Sequence, residues 1–314
     1  MRIATNSYLN TMLDQFSTLV NQEDTEQSEI STGLAVQQPS DNPTAMATTL
    51  SDLAQKSQQT QYSSNISTLQ TKADTIYTTL ESLQTLVSQA SEIATSAVSA
   101  TTSSSNLSNY ADQINSLIND VVSDANTKDP STGQYLFGGT ASGTAPFTTT
   151  TDANGDVTAV TYNGNSEVNQ AQISQGQAVS VDIPGANTGA TGARGLITDS
   201  QSGADLLNHL ISLRDDLDSG DTSAISSTDT PNLQHDENNI TYQVAHNGVA
   251  QTQLSSAATM ASNNTSTLDT MVSNASSSNA VEVATQLSAT ETAYQAALES
   301  GSKILQLSIL NYLS

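Results

Sequence analysis

Residues 281–314 read VEVATQLSATETAYQAALESGSKILQLSILNYLS, and this stretch decides the fold. Apolar residues recur three and four apart: Ala284, Leu287, Tyr294, Leu298, Leu305 and Tyr312. Val283, Ala297 and Ile304 widen the stripe. That is a helical period, with only Gly301 to interrupt it. Further on, Ile304, Leu305, Leu307, Ile309, Leu310, Tyr312 and Leu313 point all the way round the helix at roughly 100° per residue. A helix apolar on every side needs burial on every side. The end of a chain has few neighbours of its own, so other subunits are expected to supply that burial. The alternative is a helix threaded through its own core.

The other end of the chain answers it. Leu9, Met12, Leu13, Phe16, Leu19 and Val20 fall on an arc roughly 140° wide, an amphipathic helix face. Two terminal helices with apolar seams can pair side by side as a coiled coil. Everything between would then hang from that pair. The fold expected is mainly α: an elongated coiled-coil and helical bundle made from both chain ends, with a small inserted β domain at its tip.

Composition agrees. The chain has 314 residues, of which 35% are hydrophobic and 4% aromatic, so large side chains are scarce. Long thin bundles suit such a chain, and its length fits about two domains. Charged residues make up only 12% and the helical period is strong, which speaks for polar-faced helices rather than disorder. Net charge is -24, from 31 acidic against 7 basic residues. Nucleic acid binding needs clustered Lys and Arg. Here Arg2, Lys56, Lys72, Lys128, Arg194, Arg214 and Lys303 are scattered, so neither nucleic acid nor an anionic membrane is an expected partner. There are no cysteines, hence no disulfide framework. No run reaches the ~20 apolar residues of a membrane span. After Arg2, the polar Asn6, Asn10, Thr11 and Asp14 break any signal-peptide core, so export, if it occurs, is expected without a cleaved signal.

Five segments follow. Residues 1–40 form the N-terminal half of the terminal coiled coil. Gln22, Glu23, Asp24, Glu26 and Gln27 put polar groups where its seam wants apolar ones, which predicts a thinning or bend. Gly33 is a plausible helix stop. Pro39, Ser40, Asp41, Asn42 and Pro43 read as a turn-rich hinge, with a cap for the next helix and Pro43 in its first turn. Residues 41–130 hold a long helix, about 44–100, with the regular seam Ile66, Leu69, Ala73, Ile76, Leu80, Leu83, Val87, Ala90, Ile93 or Ala94, and Ala97. A return helix carries Leu107, Ala111, Ile114, Ile118, Val121 and Ala125. Residues 131–198 are the β insertion. Val157 to Tyr162 is a strand between Asn154-Gly155 and Asn163-Gly164, both hairpin signals, and Val179, Val181 and Ile183 alternate as another. Residues 199–279 return to helix, interrupted by an acidic loop from Asp218 to Thr230. Asn247 and Gln251 are polar seam positions there. Residues 280–314 complete the terminal coiled coil.

No catalytic set emerges. His235 and His246 are eleven apart, roughly 16 Å along a helix, too far for one metal. His235, Asp236 and Glu237 are adjacent and point in different directions. Gly133 to Gly143 lacks the Gly-Lys-Ser/Thr of a phosphate loop. Asp215, Asp216 and Asp218 read as a solvated helix end rather than calcium ligands. The expectation is no enzyme, no cofactor and no metal.

Several motifs carry a resemblance. Met1-Arg2-Ile3, Ser31-Thr32-Gly33, Pro39-Ser40-Asp41-Asn42-Pro43-Thr44-Ala45, Tyr135-Leu136-Phe137-Gly138-Gly139-Thr140 and Leu307-Ser308-Ile309-Leu310-Asn311-Tyr312-Leu313 together resemble the bacterial flagellin superfamily. The resemblance is strongest to its members at the junction of hook and filament. It implies an extracellular structural adaptor, exported by the flagellar type III pathway with a chaperone. It also implies a ring of subunits between another hook-associated protein and flagellin. Assembly residues would be Ile3, Leu9, Met12, Phe16 and Leu19 at one end, and Leu298, Leu305, Leu310, Tyr312 and Leu313 at the other. The same resemblance leaves room for a filament flagellin, which abundance would separate from a scarce junction protein. A coiled-coil adhesin or scaffold unrelated to flagella is a further alternative. One departure stands out: the family often has a Gly-Ala-Arg-like segment in the returning helix. Here the stretch Val244-Ala245-His246-Asn247-Gly248-Val249-Ala250 keeps the glycine and lacks the arginine.

Overall fold

A computed structural model describes the backbone of residues 2–99 and 103–313, and the side chains of residues 10–99 and 103–303. In chain order the elements are α1 (Arg2–Thr32), α2 (Pro43–Ala97), α3 (Ser104–Ala125), β1 (Phe147–Thr151), β2 (Val157–Tyr162), β3 (Ala171–Ser174) and β4 (Gln177–Val179). Then come β5 (Ala186–Asn187), β6 (Thr198–Asp199), β7 (Ala204–Asp205), α4 (Leu206–Ser219), α5 (Thr222–Ala224), a π-helical turn (Ile225–Asp229), α6 (Thr230–Ser276) and α7 (Ala280–Leu313). The protein is mainly helical with a small inserted β segment, as its periodicity predicts. Two compact units form, residues 1–59 with 263–314, and residues 60–262. Both α2 and α6 contribute to each.

In the unit of residues 60–262, the α2 seam keeps strict time. Tyr62, Ile66, Leu69, Ala73, Ile76, Leu80, Leu83, Val87, Ala90, Ala94 and Ala97 are all buried, alternating steps of four and three. The rhythm selects Ala94 over Ile93, which packs only at the margin of the core. The α3 seam is buried as expected, with Leu117 added. Ser103 caps α3 through the amide of Asn106. Leu206, Leu207, Leu210, Leu213 and Leu217 of α4 and Leu233 and Ile240 of α6 close the same core. Each fully buried leucine stabilises by roughly 1.5–3 kcal/mol.

The stretch from Asp218 to Thr230, expected as a loop, is mostly helical. Gly220, at φ 75°, ends α4 in a left-handed cap, and Asp221 at once caps α5 through the amide of Ala224. Five residues of π-helix then lead into α6. The acidic composition read as solvation, but Ile225 and Asp229 are buried.

The β segment makes three small sheets: β1 with β2, β3 with β4, and β5–β6–β7. Strand β2 is as expected, and Asn154-Gly155 does turn the β1–β2 hairpin. Asn163-Gly164 does not make a second hairpin. The second one turns at Gln175-Gly176, with Gly176 at φ 75°. Strand β4 stops at Val179, and Val181 and Ile183 are buried without ladder partners.

Gly220, at the end of α4, lies beside Leu107 near the start of α3. The β3–β4 hairpin lies along the side of the bundle, where Ile173 and Val181 join Ile66, Leu69, Ala73, Ala250 and Leu254. Lys72 pairs with Asp182 there at 2.5 Å, and Asn65 donates to the carbonyl of Gln172. The reason is coverage. The hairpin's own apolar residues and the α2–α6 seam before Ile76 bury each other.

Polar side chains on α6 fix the rest of the segment. Asn239 donates to the carbonyls of Gly195 and Leu196, and Gln243 to that of Arg194. Asp236 accepts from the amide of Asp205 and from Nδ1 of His209. Buried Arg214 of α4 donates to the carbonyl of Val157 at 2.6 Å, while the amide of Val157 donates to Asn115 of α3.

Candidate assembly interface

Both chain ends lie in the unit of residues 1–59 and 263–314. From Arg2 to Thr32 there is neither Pro nor Gly, and α1 runs unbroken through its polar middle. It stops at Gly33, whose φ of 72° suits a residue without a side chain. The Gly33 amide donates to Glu29 O.

The following turn is built by its side chains. The Asp41 carboxylate accepts from the amides of Gln38 and Gln37, and these bonds hold its pKa below the ordinary value. Asn42 Oδ1 caps α2 through the amide of Ala45, and Pro43 takes the first helical position. Gln37 reaches back to Thr32 and Leu34, tying the turn to the end of α1. Gly33, Pro39, Ser40, Asp41, Asn42 and Pro43 thus form one ordered connection.

Its partner is the break between α6 and α7. Ala35 N donates to Ser276 O at 2.8 Å, and Ser278 N donates to Gly33 O at 2.9 Å. Leu34 and Ser277 form an antiparallel bridge, and Ser278 Oγ meets Glu29. Asn279 then caps α7 through the amide of Val281, with Glu282 in the favourable first turn. The two junctions are stitched backbone to backbone.

From that stitch α1 and α7 run antiparallel. Glu26 meets Thr290, Phe16 packs edge-on against Tyr294 at 5.8 Å, and Met12 lies against Gly301. Numbers fall on one helix as they rise on the other. Gly301 does not stop the helix. It is buried, and a side chain there would collide with Met12.

Of the assembly residues expected from sequence, Met12, Phe16 and Leu19 are half-buried within the single chain, and Leu298 is 47% exposed. The side chains of Ile3, Leu9, Leu305, Leu310, Tyr312 and Leu313 lie outside the described residues. The α1–α7 pair leaves Leu13 62%, Val20 37% and Val281 78% exposed. Leu50 and Leu53 on α2 are also open to solvent. Leu13 and Val20 are one heptad apart, so they share a face.

Sequence reasoning missed Gly301, Glu26 and Thr290. A lone glycine inside a helical period and a carboxylate at a seam position were the available signals. Among the described residues no three His, Asp or Glu side chains could share a metal ion, and no helix is long and apolar enough to cross a membrane. Gly248 has open space where a side chain would stand, while its neighbour Asn247 is buried and donates to the carbonyl of Ala73.

No family model matches this sequence, and no curated protein does. Solved structures do match the fold. A flagellar hook-associated protein from Vibrio parahaemolyticus aligns with TM-score 0.64 and 21% identity, over 76% of this chain and all of that one. Xanthomonas campestris FlgL aligns at TM-score 0.56 and 17% identity, over 69% of this chain and 98% of its own. The flagellar hook-associated protein 3 of Legionella pneumophila aligns at 0.57 and 14%, over 71% and 96%. At these identities the likeness is one of fold. This chain has the fold of the flagellar hook-associated proteins.

Proposed function

We propose that this protein is a structural adaptor of the bacterial flagellum, of the hook-associated protein 3 kind, joining hook to filament. One observation carries the reading: a fold shared along nearly the whole length of several hook-associated proteins, with apolar side chains left exposed on the unit that holds both chain ends. The adaptor acts as a ring of subunits. Another hook-associated protein lies on one side and flagellin on the other, and an export chaperone holds the chain before it leaves the cell. Neighbouring subunits cover Leu13, Val20 and Leu298 together with Ile3, Leu9, Met12, Phe16, Leu19, Leu305, Leu310, Tyr312 and Leu313. Gly33 and residues 39–43 serve as the hinge between α1 and α2. The apolar area removed from water, at roughly 25 cal/mol per Å², offsets the loss of chain freedom on assembly.

The test is a deletion of residues 304–314 in the parent organism, scored by electron microscopy for filaments on hooks, with labelled protein localised at the hook tip. Bare hooks are the expected result. Normal filaments on hooks carrying the truncated chain overturn the proposal. Label along the whole filament reassigns the protein as a flagellin.

A further inference from the structure

The chain has 7 basic residues against 31 acidic ones, so each base has carboxylates to choose from. Lys56 pairs with Asp269, Lys72 with Asp182 and Arg214 with Asp215. Arg194 has no carboxylate partner among the described residues. Its guanidinium lies over the ring of Tyr242 instead, 4.2 Å from the centroid. Stacking of this kind holds the guanidinium by its face and does not use its in-plane N–H groups, the edge that grips a carboxylate.

The surroundings are those of a docking face. Tyr242 is 42% exposed and Val249 is 59% exposed. His246 lies between them and stacks on Tyr242 with ring centroids 6.1 Å apart. Positions 242, 246 and 249 follow helical spacing, so α6 presents all three on one side. Beside them is a hollow of about 250 Å³, walled by Ala178, Val179 and Ser180 as well as His246 and Val249. An exposed aromatic, a pre-set arginine and an apolar neighbour are the residue types that dominate protein contacts.

The complementary surface is on the same chain. Asp218 of α4 has its pKa raised, first by burial and then by the charges of Asp156, Asp112 and Asp215, with Arg214 only partly opposing them. Asp112 of α3, Asp156 of the β1–β2 hairpin and Asp215 of α4 thus lie near enough to Asp218 to raise its pKa, and Arg214, the cation among them, is already paired with Asp215. A cation arriving there would relieve their mutual repulsion.

We propose that the Arg194–Tyr242–His246–Val249 face docks on the Asp112–Asp156–Asp215–Asp218 patch of a second copy of this chain. Two different patches meeting in this way make a head-to-tail contact, which closes into a ring when the rotation allows. The inference deepens the ring reading above by naming a lateral contact.

The test uses the purified full chain, so it does not depend on where the protein resides. A photo-crosslinking phenylalanine derivative replaces Tyr242, and the protein is irradiated at high concentration and low salt. The expected product is an intermolecular crosslink mapping to residues near Asp112, Asp156 or Asp218. Arg194→Glu should lower its yield roughly tenfold, and high salt should do likewise. Adding Asp218→Arg to Arg194→Glu should restore it. Gln243 binds the backbone carbonyl of Arg194, not its side chain, so unchanged melting of the variants is the folding control. Crosslinks that are only intramolecular, that map elsewhere, or that are indifferent to Arg194→Glu overturn the inference. Absence of the protein from hook tips would overturn the flagellar reading and leave this result standing.

Discussion

Thr290 of α7 donates a hydrogen bond to Glu26 of α1 at 3.2 Å, inside the seam that joins the two ends of the chain. Gln22 donates to the same oxygen at 2.9 Å, and the second carboxylate oxygen is buried without a hydrogen bond. Polar layers in coiled coils fix alignment at a cost in stability. Thr290→Val should therefore destabilise the terminal unit by about 1–3 kcal/mol, since it leaves the carboxylate with one donor fewer. Glu26→Leu combined with Thr290→Val should recover that loss or exceed it. Denaturant melts of the single and double variants check both, and equal destabilisation by both would remove the layer's role.

Gly301 trades helix propensity for contact. A glycine inside a helix costs roughly 1 kcal/mol relative to alanine. What it gains is room for Met12, with the ring edge of Phe16 3.7 Å from where its Cβ would stand. Gly301→Leu should force the helices apart and cost about 1–3 kcal/mol. Gly301→Ala should be nearly neutral, because the end of a methionine moves easily. Met12→Ala in the Gly301→Leu background should restore much of the loss. Hydrogen exchange along residues 10–30 reads the result, and protection unchanged by Gly301→Leu would rule the contact out.

What could be read from the sequence is what repeats. The α2 seam from Ile66 to Ala97 repeats its period throughout, and its positions proved to be buried, with Ala94 taking the place that Ile93 also offered and Tyr62 extending it by one step. The Gly33 stop, and a cap among Ser40, Asp41 and Asn42, were legible because they depend on single residues with local geometry, and the structure selects Asn42. The β segment was legible as composition but not as placement. Its position rests on Ile173 meeting Ile66 and Leu69, residues about a hundred apart with no local signature. The antiparallel stitch at Leu34 and Ser277 is backbone pairing, to which side-chain identity is nearly indifferent. Leu13 and Met12 are adjacent and equally apolar, and only the partner helix decides that one is open and the other covered.

The bundle of residues 60–262 should gain stability in mild acid. Asp229 is fully buried, neither of its oxygens is hydrogen-bonded, and Ser212 and Asp216 stand close by. Burial first, and Asp216 second, push its pKa up to about 6 from an ordinary 3.8. The folded state then holds a proton that the unfolded chain releases between those values, so stability falls as pH rises from about 4 to about 6 and levels off above. Burial lowers the pKa of His209, but its bond to Asp236 outweighs this and the net shift is upward. A raised histidine contributes stability below 6.5 that is lost as pH climbs through its folded pKa, the same direction. Melting temperature should therefore be higher at pH 5.5 than at pH 7.5, with Asp229 supplying roughly 1 kcal/mol of the difference. Asp229→Asn should raise the melting temperature at pH 7.5 and flatten the slope. An unaltered slope would assign the dependence to the overall charge of -24 instead.

Asn239 and Gln243 put polar side chains where a helix seam would hold leucine, and both are buried. Their targets explain the choice. The carbonyls of Arg194, Gly195 and Leu196 belong to a tight segment in which a side chain at Gly195 would strike the Thr198 carbonyl and the Asn187 amide. No regular ladder could reach those carbonyls, so α6 supplies the donors. Asn239→Leu keeps the volume and removes the donor, leaving two buried carbonyls short of a partner at about 1–3 kcal/mol. Exchange protection should fall at residues 195–199, while α2 and α3 keep theirs. Arg194 precedes the loosened carbonyls and keeps only its own bond from Gln243, so the same substitution should weaken the intermolecular crosslink from position 242. Retention of both protection and crosslink in Asn239→Leu would mean that apolar packing at Leu196 and Ile197 alone seats this segment.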